Sequence, residues 1–187
     1  MLPNKSIKED RSDREIDYMI SQKETCKVFL KEYNKKNKVD YRFTSLGNPI
    51  KKEPSCICTD DLSIEIAPVY YNKDEAKAAW GLVKLMKKRA KNKNNNRKNK
   101  DKKDYLAEAT QMFCDSLNER IKNKTEKKYN NAGKLFLIIE DGVGLTEKEA
   151  VEYYINQGKK FTNAIFDEIW LMLQFAGHYK IYLLDKK

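Results

Sequence analysis

The chain has no run of about 18 apolar residues, the length that spans a bilayer as a helix. Its opening MLPNKSIKEDRSDRE lacks the apolar stretch of a secretory signal. A soluble, cytoplasmic protein with no membrane partner is the expectation. Cysteine and histidine are scarce: Cys26, Cys56, Cys58, Cys114 and the single His178. Cys56 and Cys58 are one residue apart and have no second pair, which excludes a zinc signature. In a reducing compartment all four cysteines read as structural thiols, and the sequons at Asn4 and Asn123 carry no glycan. Phosphate loops are absent too: Gly142-Val143-Gly144 lacks a third glycine and a Lys-Ser/Thr, and reads as a strand-to-helix turn. No internal repeat and no Pro/Ser-rich linker divides the 187 residues. A single domain over 1–187 is therefore expected, large enough to bury a core without disulfide or metal.

What the chain does have is charge. The formal net charge of +10 points to a polyanionic partner only if it is spread over the fold. Residues 84–103 hold 11 Lys and Arg against one Asp, leaving 27 basic and 27 acidic groups elsewhere. The body of the protein is neutral, and the charge belongs to a Lys/Asn-rich insertion. With no apolar period to bury, 87–103 reads as a flexible, exposed segment. Its Lys87, Lys88, Arg89, Lys91, Lys93, Arg97 and Lys98 are the candidate nucleic-acid contacts.

Ser12 and Glu15 form a capping box ahead of Ile16, Met19, Ile20, Cys26 and Leu30, predicting a first helix of about 20 residues. Val39–Ser45, Pro54–Cys58 and Leu62–Val69 read as strands, the last two as an antiparallel hairpin across Thr59-Asp60-Asp61. A second capping sequence at Asn72 to Glu75 opens a helix carrying Ala76, Ala79, Trp80 and Val83. Helical spacing returns over 104–129, with Phe113, Leu117, Ile121, Lys124 and Lys128 on one face. Leu135–Ile139 reads as a strand covered on both sides. Thr146 and Glu149 cap a helix reaching about Gln157, and Ile169–Leu173 and Ile181–Leu184 close the chain as strands around Gly177 and His178. The order predicts an α/β domain, a mixed central sheet flanked by helices.

The chemistry concentrates on the hairpin. Alternation along Leu62-Ser63-Ile64-Glu65-Ile66-Ala67 puts Glu65 on the face opposite Ile64 and Ile66, either facing solvent on a half-exposed hairpin or serving a site. A turn centred on Asp60 pairs residues whose numbers sum to 120, so Ser55 lies opposite Glu65 and Glu53 opposite Ala67. Two carboxylates on one patch call for a cation, and a divalent metal with oxygen ligands meets that need. Asp60 and Asp61, at the hairpin tip, lie on the order of 10 Å from the Glu65 level. Lys124 and Lys128 point at the sheet if their stripe packs there, where a lysine stabilises charge developing on a phosphate. If the helix frays after Ile121, both are solvated. His178 reads as a surface turn residue, and Tyr70 and Tyr71 as ordinary aromatics with the capacity to stack on bases.

In this order the residues resemble the PD-(D/E)XK nuclease superfamily, the restriction-endonuclease-like fold. The resemblance runs from the first helix through Leu184. It rests on the helix and three-strand start, Glu53-Pro54-Ser55, Ile64-Glu65-Ile66, the segment Leu117, Ile121, Lys124, Lys128, Tyr129 leading into Leu135–Ile139, and the closing Phe166-Asp167-Glu168-Ile169-Trp170-Leu171. Where the family has Pro-Asp this chain has Pro54-Ser55, and where it has (Asp/Glu)-x-Lys it has Glu65-Ile66-Ala67. The resemblance implies hydrolysis of DNA or RNA phosphodiesters with Mg²⁺ or Mn²⁺ held by Glu65 and Glu53. Lys124 or Lys128 supplies the migrated lysine. A homodimer is compatible with it. With both signature positions altered, the alternative is a catalytically inactive member, a nucleic-acid-binding or defence-associated subunit with a protein partner.

Overall fold

Ser6–Asn37 contains neither proline nor glycine, and it forms one uninterrupted helix, α1. The helix passes straight through the Ser12-Glu15 sequence expected to start it, since nothing before Ser12 breaks it. It ends where Lys38 takes a left-handed φ of 57° and the Val39 N–H donates to the Asn34 carbonyl at 3.3 Å, a Schellman-type stop. This computed structural model describes residues 6–70, 97–141, 146, 148–157, 165–175 and 178–187. After α1 come β1 (Phe43–Leu46), a 3₁₀ turn (Pro49–Lys51), β2 (Cys56–Cys58), β3 (Leu62–Pro68), α2 (Arg97–Thr125), β4 (Lys134–Asp141), α3 (Lys148–Asn156), β5 (Glu168–Phe175) and β6 (His178–Lys186). The strands form a six-stranded mixed sheet in the order β1-β2-β3-β4-β5-β6. The β1/β2, β2/β3 and β5/β6 pairs are antiparallel. The α/β class follows as expected. The expected helix at 72–83, the Gly142–Gly144 turn, Tyr71 and Gly177 lie outside the described residues.

The chain packs as two compact units. The first comprises Met1–Ile66 with Lys128–Phe136. On α1, Cys26, Phe29, Leu30 and Tyr33 are buried, the three-and-four spacing of a single face. Full burial of a side chain such as Phe29 contributes about 1.5–3 kcal/mol. The Tyr33 ring stacks at 5.5 Å from Phe29 and 5.3 Å from Phe136. Cys56, Cys58, Leu62, Ile64 and Leu135 complete this core.

The second unit comprises Ala67–Lys127 with Leu137–Lys187. Ala109, Phe113, Cys114, Leu117 and Ile121 of α2 and Ala150, Val151 and Tyr154 of α3 are buried. Phe113 meets Tyr154 edge to face at 6.2 Å. The Tyr154 hydroxyl donates to Asn118 Oδ1 at 2.8 Å, and burial pushes its pKa up. The buried Glu168 carboxylate at the start of β5 accepts from the Trp170 indole N–H at 2.9 Å and from Lys186 at 2.8 Å. Thr146 does not cap α3 through its side chain. Its backbone N–H donates to Asp141 Oδ2 at 3.0 Å, and its buried hydroxyl has no partner among the described residues.

On α2 both boundaries differ from expectation. The Lys/Asn run is expected to be flexible through residue 103, yet the chain is helical from Arg97. Lysine and arginine are good helix formers, and no proline or glycine interrupts 97–125. At the other end α2 stops at Thr125 rather than 129. There the Glu126 N–H still reaches the Lys122 carbonyl at 3.1 Å, but the Lys127 N–H bonds Lys124 at 3.3 Å. That three-residue span tightens the last turn and ends the helix.

Candidate functional site

The hairpin between β2 and β3 turns on Asp60 and Asp61, with φ of 53° and 55°, and the Leu62 N–H donates to the Thr59 carbonyl at 3.2 Å. Two left-handed central residues give the turn the twist that antiparallel strands favour, and aspartate tolerates that region better than most residues. The ladder then pairs Cys56 with Ile64 and Ile57 with Ser63, the register whose numbers sum to 120. A two-residue turn alone would shift this pairing by one. Cys58, which pairs with Phe43 on β1, takes up the extra residue on the β2 side.

Continuing the ladder one step sets Ser55 against Glu65, and the side chains confirm it. Glu65 Oε2 accepts from the Ser55 N–H at 3.0 Å and from its hydroxyl at 3.1 Å. The Ser55 oxygen accepts in turn from the Ile66 N–H at 3.2 Å and from the Gln22 amide of α1 at 3.1 Å. A serine hydroxyl has one donor and two acceptor positions, so all three are used. Glu65 is only 7% exposed, and residues 62–67 are buried on both faces of β3. The half-exposed hairpin that the alternation allows is excluded, because β3 is an interior strand of the sheet.

Tyr129 joins the carboxylate from the segment between α2 and β4. Burial first, then the negative charge of nearby Glu65, hold the phenol's pKa well above the ordinary value. The same segment is anchored by the Asn130 N–H, which donates to the Lys52 carbonyl at 2.9 Å. Gly133 lies against the hairpin tip: a Cβ there would fall 2.3 Å from the Asp61 carbonyl oxygen.

Glu53 lies outside β2. Its Oε2 accepts from the Asn48 N–H at 2.8 Å and its own N–H donates to the Asn48 carbonyl at 3.1 Å, so it closes the loop around the 3₁₀ turn. A Cβ on Gly47 would sit 1.8 Å from the Pro54 carbonyl oxygen, which is why glycine stands there. Lys124 is half-buried near the end of α2, in the second unit. Lys128 follows the helix end and is exposed, so it does not continue the Leu117/Ile121 stripe. Arg97 and Lys98 begin α2, whereas Lys87, Lys88, Arg89, Lys91 and Lys93 lie outside the described residues. His178 is exposed at the start of β6. Among the described residues no three His, Cys, Asp or Glu side chains form a metal-binding group.

Two site residues have no role in the sequence reading: Gln22, and Tyr129 as a neighbour of Glu65. Gln22 lies four residues before Cys26, on the line that continues through Phe29, Leu30 and Tyr33, and that spacing marks it as facing inward. For Tyr129 the sequence carries no such signal, because the helical spacing runs on to 129 while the helix itself ends at Thr125.

Comparison of the chain with protein-family models, curated proteins and solved structures finds no match.

Proposed function

We propose that the protein is a divalent-metal-dependent phosphodiester hydrolase acting on DNA or RNA, with Glu65 as its central carboxylate. The observation that carries this reading is the register of β2 on β3. It sets position 55, where the resembled family has aspartate, against a buried carboxylate on an interior strand. The order of helix, three-stranded meander and later strand β4 beside β3 supports the same reading. Mg²⁺ binds through one or two carboxylates and completes its shell with water and substrate oxygens, so Glu65 meets the minimum. When bound, such an ion lowers the pKa of a coordinated water and polarises the phosphate. Ser55 orients the Glu65 carboxylate, and Tyr129 shields it. On the resemblance alone, the lysine's part falls to Lys124 or Lys128.

A second reading, nucleic-acid binding without cleavage, is favoured by Ser55. Its hydroxyl is fully engaged within the protein, so position 55 adds no second carboxylate and no spare oxygen.

Purified protein with Mg²⁺ or Mn²⁺ is expected to cleave single- or double-stranded DNA or RNA, and Glu65→Gln to abolish cleavage. Absence of cutting on every substrate with both metals would overturn the hydrolase reading. Binding that persists in Glu65→Gln, weakens with added salt through counterion release and is lost on deleting residues 84–103 would establish the second reading.

A further inference from the structure

Cys26, Cys56 and Cys58 are buried together in the first unit. Cys56 and Cys58 are two apart on β2, so they project from the same side of the strand, and α1 lays Cys26 over them. The Sγ atoms of Cys26 and Cys58 lie 3.9 Å apart, from residues 32 positions apart in sequence. The Cys56 thiol donates to the Gln22 carbonyl at 3.7 Å. Cys114, the remaining cysteine, belongs to the second unit.

The thiols are not equivalent. Hydrogen bonding to Cys56 and Cys58, with burial added, holds Cys26 firmly in its protonated form. The hydrogen bond from Cys26 pulls the pKa of Cys58 below the ordinary thiol value. Cys58 is the more exposed of the two, at 6% against 0%, so it is the thiol an oxidant meets first, and Cys26, 3.9 Å away, is positioned to resolve it.

We propose that Cys26 and Cys58 form a reversible redox switch, closed to a disulfide by hydrogen peroxide, that ties α1 to β2. The Cys58 thiolate attacks one peroxide oxygen, the O–O bond breaks, and hydroxide leaves to give a sulfenic acid at Cys58. The Cys26 sulfur then attacks the Cys58 sulfur. The S–O bond breaks, and hydroxide departs with the Cys26 proton as water. Two thiols are oxidised by two electrons, one peroxide is reduced, and two waters form. The pair is 0% and 6% exposed, so a water-sized oxidant is the appropriate class and a bulky disulfide such as oxidised glutathione is not.

Closure draws the sulfurs from 3.9 Å to about 2.05 Å. Gln22 lies one helical turn from Cys26, with its amide on the Ser55 hydroxyl and its carbonyl on Cys56. The turn that must move is therefore the one that holds Ser55 against Glu65. This inference does not depend on the hydrolase reading, since its readout is a covalent bond.

The test treats the folded full-length protein with hydrogen peroxide, quenches, alkylates under denaturing conditions and maps the peptides by mass. A linked Cys26–Cys58 peptide is expected, with two of the four thiols lost to alkylation and both regained with dithiothreitol. Cys56→Ser and Cys114→Ser retain the link, and Cys58→Ser abolishes it. Oxidised glutathione in place of peroxide leaves all four thiols free. Four alkylatable thiols after peroxide, a Cys26–Cys56 link, or sulfinic acid at Cys58 without a link would each overturn the proposal. If Cys58→Ser fails to fold, the Cys56→Ser map decides between the two pairings by itself.

Discussion

Ser55 grips the Glu65 carboxylate twice on the same oxygen, through its backbone N–H at 3.0 Å and its hydroxyl at 3.1 Å. The backbone bond belongs to the chain, while the hydroxyl bond belongs to the residue type. Ser55→Ala removes only the second, and it also strips an acceptor from the Ile66 N–H and the Gln22 amide. Leaving buried polar groups unpaired costs about 1–3 kcal/mol. Urea unfolding should show a loss in that range with an unchanged denaturant slope, and Gln22→Ala should cost less, because Ser55 keeps its other partners.

Ser55→Asp sets a second carboxylate opposite Glu65. Like charges directly opposite on a sheet destabilise it, on the order of 1 kcal/mol, so thermal unfolding in chelator should fall below wild type. Mg²⁺ or Mn²⁺ bound between the two carboxylates restores stability by binding only the folded form. A variant equally unstable with and without metal would show that this face of the hairpin admits no cation.

Tyr129 predicts a pH dependence at the alkaline end. Its pKa is raised in the folded protein, so the folded state keeps a proton that the unfolded chain gives up near pH 10. This contribution to stability is fully present below about pH 10 and is lost as pH rises through the folded-state value. Tyr129→Phe should flatten the alkaline fall in stability. It should also remove one late-ionising phenol from the near-ultraviolet titration, leaving Tyr154 as another. An unchanged titration would remove Tyr129 from the neighbourhood of Glu65.

Gly133→Ala probes the fit of the segment before β4 against the hairpin tip. The added Cβ would lie 2.3 Å from the Asp61 carbonyl oxygen and 2.5 Å from the Asp61 Cβ, and backbone cannot swing aside as a long side chain does. Overpacking of this kind costs about 1–3 kcal/mol. Circular dichroism melts should report the loss, and Gly133→Ala combined with Asp61→Gly should recover part of it, because the second change deletes one of the two clashing atoms and suits the left-handed φ.

Leu117→Ala removes a fully buried side chain from α2 and should cost about 2–5 kcal/mol, measured by equilibrium unfolding. The exposed Ile50 is the control: Ile50→Ala should leave stability within about 0.5 kcal/mol of wild type.

The strands were legible because their cues are local. Val, Ile, Leu and Cys alternate or run together between Asp, Gly and Pro, and a turn centred on Asp60 gives the pairing of Ser55 with Glu65, which the chain reaches instead through a two-residue turn and the extra residue at Cys58. The burial of Glu65 was not legible, since alternation reads the same on an interior strand as on a half-exposed one, and what distinguishes them is β4, more than sixty residues later. Helix ends were misjudged for a related reason. The Lys and Asn residues around 97–103 and 122–128 have acceptable helix propensity, so periodicity runs on past the point where a three-residue hydrogen bond and the anchoring of Asn130 on Lys52 turn the chain. Glu53 was drawn toward Glu65 by strand geometry, but β2 begins only at Cys56, and a loop residue answers to its own turn.

The strand order of the sheet also bears on how the chain assembles as it is made. Each strand from β1 to β6 lies beside the one synthesised just before it, so no strand must wait for a later segment to supply its inner neighbour. The first three pair across connections of nine residues or fewer, which keeps the entropy of loop closure low, and such local pairing speeds folding. The interval between β3 and β4 is the longest that this order spans among the described strands. Until it is crossed, β3, the strand that carries Glu65, is the open edge of the sheet, and β4 is the segment that closes it.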